Sequence, residues 1–470
     1  MVTKILLPAP KTPNNCFPTN LIEEMFSMAL EVFTVQPALA EMTSLHSQLQ
    51  YLWANLAHVK ISDGENINCC PPVSTKIIDF EPPSSDSRLR VRPAAHLVDD
   101  AYAAKYSRAI ELMKALPAND PRGFMQQANI HCAYCDRAYH QLGFPDLELQ
   151  ILGKLIDGPT FALPFWNWDS PAGMQMPAMY TNTKSSLYDQ LRDRNRYPPA
   201  LVDYNGTEET TTDKDQTTSN LRVMNRQMIS NGKTTKVFPG SPYRTGDEPD
   251  PGAGSLEDIP HGTIHNWLWS IWKTLGAKRK DYNDPDWLDS SFLFYDENAN
   301  LVRVKVRHCI DSKTLGYDYQ DVDLPWLKSK PTPRKLAKKV ATGGPGIALA
   351  AETKKKKSRS KKEKEEEEEI LIIETIELER DSFVKVDVYV NDEDDLTIGP
   401  EYTEFAGSFM NVPHKHKHEK RMKTCLRLRL TDLLEDLGAE DDDSVVVTLV
   451  PRKGKGVVTV GGIKIEFAQD

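Results

Sequence analysis

The stretch His261-Gly-Thr-Ile-His265 sets two imidazoles four residues apart. On a helix that spacing puts both side chains on one face, which is a half-site for zinc or copper. His131 stands directly before Cys132-Ala-Tyr-Cys135. The two cysteines have the spacing of a redox C-x-x-C, but no βαβ pattern surrounds them. With Cys69 and Cys70 they form a cluster in the first third of the chain, pointing to disulfides or metal ligation; a disulfide implies an oxidising compartment. His140 follows His131 by nine residues, about 180° around a helix, and reads as an exposed helix histidine. His414, His416 and His418 alternate and would share one strand face, where the interleaved lysines argue for a solvated edge.

These residues need elements to hold them. The runs HLVDDAYAAKYSRAIELMKAL and PRGFMQQANIHCAYCDRAYHQ have helical spacing, with Pro121 placed for a helix start. Residues 205–255 are polar and turn-rich apart from a short helix near SNLRVMNRQMIS, and HGTIHNWLWSIWKTLG reads as helical. SFLFYDENANLVRVKVRHCI predicts two strands around a DENAN turn. From 328 to 369 lysine, glycine and proline give way to glutamates, a segment too poor in apolar residues to order itself. Beyond it, FVKVDVYV, CLRLRL, SVVVTLV and GVVTVGGIKIEF alternate with period two, predicting a small antiparallel β domain.

The totals bound the class. At 470 residues the chain can hold two or three cores, and its net charge of −10 argues against a general nucleic-acid footprint. No run approaches the roughly 20 apolar residues of a membrane helix. Residues 1–60 contain no arginine, and Glu23, Glu24, Glu31 and Glu41 interrupt the apolar part, so neither a transit peptide nor a secretory signal is legible there.

NCCPPVSTKIIDFEPPSSDSRLRVRPAAHLVDDAYAAKYSRAIELMKALP, FMQQANIHCAYC, FALPFWNWDSPAGMQMP, GSPYRTGDEPDPGAGSLEDIPHGTIH and DPDWLDSSFLFYDENANLVRVKVR together resemble the plant polyphenol oxidases, catechol oxidases of the tyrosinase or type-3 copper family. The likeness runs from about residue 66 to the end. It implies an α+β multidomain fold: a truncated tyrosinase-like four-helix-bundle domain at 66–278 and a segment closing it at 279–328. A charged linker at 329–380 and a C-terminal antiparallel β-sandwich shield domain at 381–470 follow, with residues 1–65 an atypical extension.

The family's reaction, by the same resemblance, is oxidation of o-diphenols to o-quinones with O2 at two coppers, each held by three histidines. His131 would be a ligand of the first copper, and His261 and His265 ligands of the second. Glu257 would hold a water beside the second copper. Gly262, next to His261, is not the asparagine associated with phenol hydroxylation. Cys69 would pair with Cys132, and Cys70 with Cys16. Cys135 would form a thioether with a histidine that is missing here. His96 has no ligand role in the family, and Tyr317 and Tyr319 resemble a structural motif.

The likeness is interrupted twice. The family's histidine-bearing helix between the counterparts of Leu149-Gln150 and Ile151-Leu152 is absent, and a loop with further histidine is absent at Trp267/Leu268. Three ligands are thereby lost, so the reaction is expected to be impaired. The alternative is an inactive splice form, pseudogene product or mis-assembled gene model acting at most as a binding or structural protein. The resemblance further implies the chloroplast thylakoid lumen and a processing protease acting on the 329–380 linker.

Overall fold

A computed structural model of the chain describes residues 76–84, 89–124, 126–127, 146–190, 192–206, 212–234, 237–238, 240, 252, 254–264, 288–289, 291–309, 311–333, 349–354, 367–379, 382–392, 399–411, 421–454 and 456–468. The first part of the chain carries short strands β1 (Ile77–Asp79) and β2 (Arg90–Arg92) and helices α1 (Asp100–Lys114), α2 (Asp146–Leu155) and α3 (Asp213–Asn225). Strands β3 (Ser291–Tyr295), β4 (Leu301–Lys305) and β5 (Tyr317–Tyr319) follow. β1, β4 and β3 form one sheet, and β2 pairs with β5 in parallel. The expected DENAN hairpin is present: Asp296 Oδ1 accepts the N–H groups of Asn298 at 2.9 Å and Asn300 at 2.7 Å, closing the turn between β3 and β4.

Helix α1 begins where Asp99 accepts the Tyr102 N–H at 2.7 Å. It buries Tyr106, Ala109, Ile110 and Met113, the i, i+3, i+4, i+7 stripe of an amphipathic helix. That stripe joins one core with the aromatic-rich run, in which Phe161, Phe165, Trp166 and Trp168 are all buried. Arg92 is wholly buried in the same core. Its Nε donates to the Leu163 carbonyl at 3.0 Å, and its guanidinium lies over the Tyr319 ring at 5.1 Å. The tyrosines of β5 thus clamp the N-terminal strand β2 to the aromatic run.

Among the described residues the C-terminal part holds two sheets. β7 (Glu368–Glu379) pairs with β10 (Arg421–Arg429), β12 (Val458–Thr459) and β13 (Gly462–Ala468). The second runs β6 (Leu349–Lys354), β11 (Ser444–Lys453), β8 (Val384–Val390), β9 (Phe405–Asn411). A separate apolar cluster from both sheets, including Leu371, Val388, Leu426 and Val447, is closed by Leu433 and Leu434 of helix α4 (Thr431–Leu437). Strands therefore begin earlier than the sequence expects: β6 and β7 both fall within 329–380. The glutamates at 367–369 hide that EILIIETIELE is itself strand-like, with Ile370 to Ile373 buried.

The period-two reading of β8 also needs revision, because all seven of its residues are buried. Its alternate positions Lys385 and Asp387 meet partners rather than water. Asp387 takes Ser408 Oγ at 2.6 Å and Arg452 Nε at 2.7 Å, and Lys385 Nζ lies 3.4 Å from Asp387 while donating to the Asn205 carbonyl of the first part. Burial alone would raise the Asp387 carboxyl, but Lys385 and Arg452, with the Ser408 hydrogen bond, hold it below its ordinary value.

Candidate metal centre

The backbone leading into the His261 and His265 pair is described through Ile264. Glu257–Gly262 is a wide helical segment interrupted at Ile259, which is extended at φ −141° and ψ 125°. Pro260 explains the break: the residue before a proline is driven out of helical conformation, while proline itself is tolerated in a first turn. A new helix therefore starts at Pro260, with His261 in its first turn and Thr263 and Ile264 buried behind it. Two backbone bonds fix the entry, Ser255 N–H to Val237 O at 2.8 Å and Leu256 N–H to Phe238 O at 3.2 Å.

Asp258, beside Glu257, is the residue here that the sequence reading missed. It is buried, and its Oδ1 accepts the Met410 N–H of β9 at 2.8 Å, joining this segment to the C-terminal part. Burial raises its carboxyl well above the ordinary carboxylate range, against the Met410 hydrogen bond. No local signal marked it, because an acid between a glutamate and an apolar residue would ordinarily face solvent.

A second polar seam lies along the π-helical turn Arg226–Ser230 that extends α3. Arg226 Nη2 donates to Thr403 O at 3.0 Å, and Asn231 both donates to Ala406 O at 3.3 Å and accepts the Arg429 N–H at 3.2 Å. Arg429 Nη1 reaches Ser230 O at 3.3 Å and is held in turn by Glu368 at 2.6 Å and Asp432 at 2.8 Å. Lys233–Asp432 at 3.0 Å and Lys330–Asp436 at 2.6 Å are more exposed pairs across the same boundary. At Gly252, with φ +85°, an added Cβ would collide with the Cys425 carbonyl oxygen. Only glycine lets that backbone approach β10.

The base of the connector is fixed from inside. Trp326 Nε1 donates to Asp169 Oδ2 at 2.7 Å, and the Trp326 carbonyl accepts from Asn225 Nδ2 at 2.9 Å. Asp169 is fully buried, and among the described residues its Oδ1 has no hydrogen-bond partner. Burial pushes its carboxyl up to about 7, the Trp326 hydrogen bond opposing.

Of the site residues read from the sequence, Glu257 and His261 share this one segment by backbone position. His131, His265, Cys16, Cys69, Cys70, Cys132 and Cys135 lie outside the described residues, as do His140, His414, His416 and His418. His96 sits on a short 3₁₀ turn with its imidazole lowered by burial, and His308 packs at 5.6 Å on Phe80. Among the described residues no three His, Cys, Asp or Glu side chains converge as metal ligands. Helix α2 runs as one helix across Gln150/Ile151, with Ile151 and Leu152 fully buried in the core.

Comparison with known proteins places this geometry. Residues 281–332 match the polyphenol oxidase middle domain, and residues 346–467 match the C-terminal domain of chloroplastic polyphenol oxidase. The chain is 55% identical to a chloroplastic polyphenol oxidase of Malus domestica, over 85% of this chain and 81% of that protein. It is 49% identical to one from Vitis vinifera, over 86% and 79%. The structure of latent apple tyrosinase superposes with a TM-score of 0.73 at 52% identity, covering 84% of this chain and all of that one. Both the helical first part and the sheets that pack onto it are therefore those of a recognised lineage, and the chain belongs to the plant polyphenol oxidase family of type-3 copper proteins.

Proposed function

We propose that this chain keeps the architecture of a latent polyphenol oxidase but does not carry out the family's paired-copper oxidation of o-diphenols. In that reaction two catechols give two o-quinones while one O2 is reduced to two waters. The observation that carries the reading is α2. Where the resemblance calls for an inserted helix with two histidines, Asp146–Leu155 continues unbroken and buries Ile151 and Leu152. His131 is then one ligand where the family uses three, and His261 with His265 two. Losing even supporting groups around ligands typically costs 10–100-fold in affinity or activity. The pair His261 and His265 would retain weak copper affinity, with Glu257 alongside.

Relatives named as chloroplastic polyphenol oxidases support a chloroplast location, and the thylakoid lumen within it is proposed from the family resemblance alone. Its partners would be a phenolic substrate, O2 and a protease acting on the connector, as the latent state of the structural relatives supports. Quinone formation from catechol, measured before and after removal of the C-terminal part, tests the reading. Absence of turnover in both states is expected. Turnover that emerges only on removal would show that covering, rather than ligand loss, silences the chain. Transcript sequencing across Gln150/Ile151 and Trp267/Leu268 separates a real deletion from a mis-assembled gene model.

A further inference from the structure

The lysine-rich run at 355–364 is the most obvious target for a protease, but it lies C-terminal to β6. β6 pairs antiparallel with β11 over six residues, from Leu349 opposite Leu449 to Lys354 opposite Ser444. It forms the edge of the sheet β6-β11-β8-β9, and the match to the family's C-terminal domain begins at residue 346, ahead of it. A cut within the lysine run therefore falls inside the C-terminal domain, and the N-terminal fragment ends in a strand already laddered to its partner. Pulling β6 away would leave the backbone of β11 without that ladder and expose an apolar edge that includes Val445, Val447 and Leu449.

We propose that β6 is a strand staple. Cleavage in the lysine run nicks the protein without releasing the covering domain, whereas release requires a cut ahead of Leu349. This rests on the reading of the connector as a processing site, but the staple itself needs no particular protease. β6 acts as an added strand in a sheet, and its attachment to the first part holds it at high effective concentration. With a cut ahead of Leu349, β6 departs with its own sheet. Among the described residues the fragments are then joined by the polar seam, the Thr332–Tyr402 bridge, the packing of Tyr389, Phe405 and Val450 into the first part's core, and the apolar contacts of Val237 with Ile370 and Ile372.

The test uses the full chain with a site for a sequence-specific protease placed either at 340–346 or at 358–362. After complete cleavage, fragment dissociation is followed by size-exclusion chromatography in salt high enough to screen Lys233–Asp432 and Lys330–Asp436. The staple requires the 358–362 cut to dissociate at least tenfold more slowly than the 340–346 cut. Successive N–H groups of an edge strand point alternately toward and away from the neighbouring strand. One of A351P and E352P therefore removes a ladder donor and abolishes the difference, while the other serves as the control. Equal dissociation rates for the two cuts, or a difference that survives both prolines, overturns the proposal. Failure of a natural protease to cut anywhere in the 329–380 connector would refute the processing reading and leave this result unaffected.

Discussion

Asp169 gives a sharp test of how the helical part is closed. Its carboxyl is buried, holds the Trp326 indole at 2.7 Å and is raised from 3.8 to about 7 by burial. Protonation therefore favours the folded state. The stabilising contribution is complete below 3.8, declines as the unfolded chain ionises above that value, and is gone once pH rises through about 7. At about 1.4 kcal/mol per pH unit the full interval is worth about 4 kcal/mol. Roughly 3 kcal/mol of it falls between pH 5 and pH 8. D169N keeps an oxygen that can accept the indole N–H but cannot ionise. Urea unfolding followed by tryptophan fluorescence at several pH values should show the wild type losing stability relative to D169N as pH rises, by about 3 kcal/mol over that range. Parallel curves for the two proteins would refute the assignment of a buried, proton-holding carboxyl at this position.

Other consequences are simpler. W326F removes the indole donor and leaves Asp169 buried without its partner, so unfolding should become easier by about 1–3 kcal/mol in the same assay. I151A empties a fully buried site on α2 and should destabilise the fold by about 2–5 kcal/mol in thermal or urea unfolding, whereas an α2 end facing solvent would show almost no change. G252A places a methyl against the Cys425 carbonyl and should loosen the two parts, read as faster hydrogen exchange in β10 with little change in α1.

The sequence was most legible where periodicity and local chemistry agreed. The apolar stripe of α1 could be read directly, as could the hairpin around Asp296, because each depends on neighbours a few residues away. What escaped depended on the other half of the molecule. Lys385 looks like a solvent position of an alternating strand, and the Asn205 carbonyl of the first part makes it interior, while Asp387 beside it is satisfied within its own sheet by Ser408 and Arg452. Asp258, Arg226 and Asn231 are polar residues at helical positions whose partners, Met410, Thr403 and Ala406, lie some 150 or more residues away. The charged run before β7 masked two strands because composition was averaged over a segment in which basic, acidic and apolar stretches alternate. For the site, the spacing of His261 and His265 could be read, and the structure adds how Pro260 starts the helix that carries His261. The unbroken α2 is a consequence of the Gln150-Ile151 junction that a single sequence exposes only when set beside its relatives.

Copper content tests the central claim most directly. The purified chain, reconstituted with excess copper, dialysed and then oxygenated, would be analysed for metal per polypeptide and for the near-ultraviolet absorption of an oxygenated copper pair. Fewer than two coppers per chain and no such band is the expected result. Two tightly held coppers with that band would mean that other side chains complete both ligand sets, and the account of this chain as an impaired member of its family would be wrong.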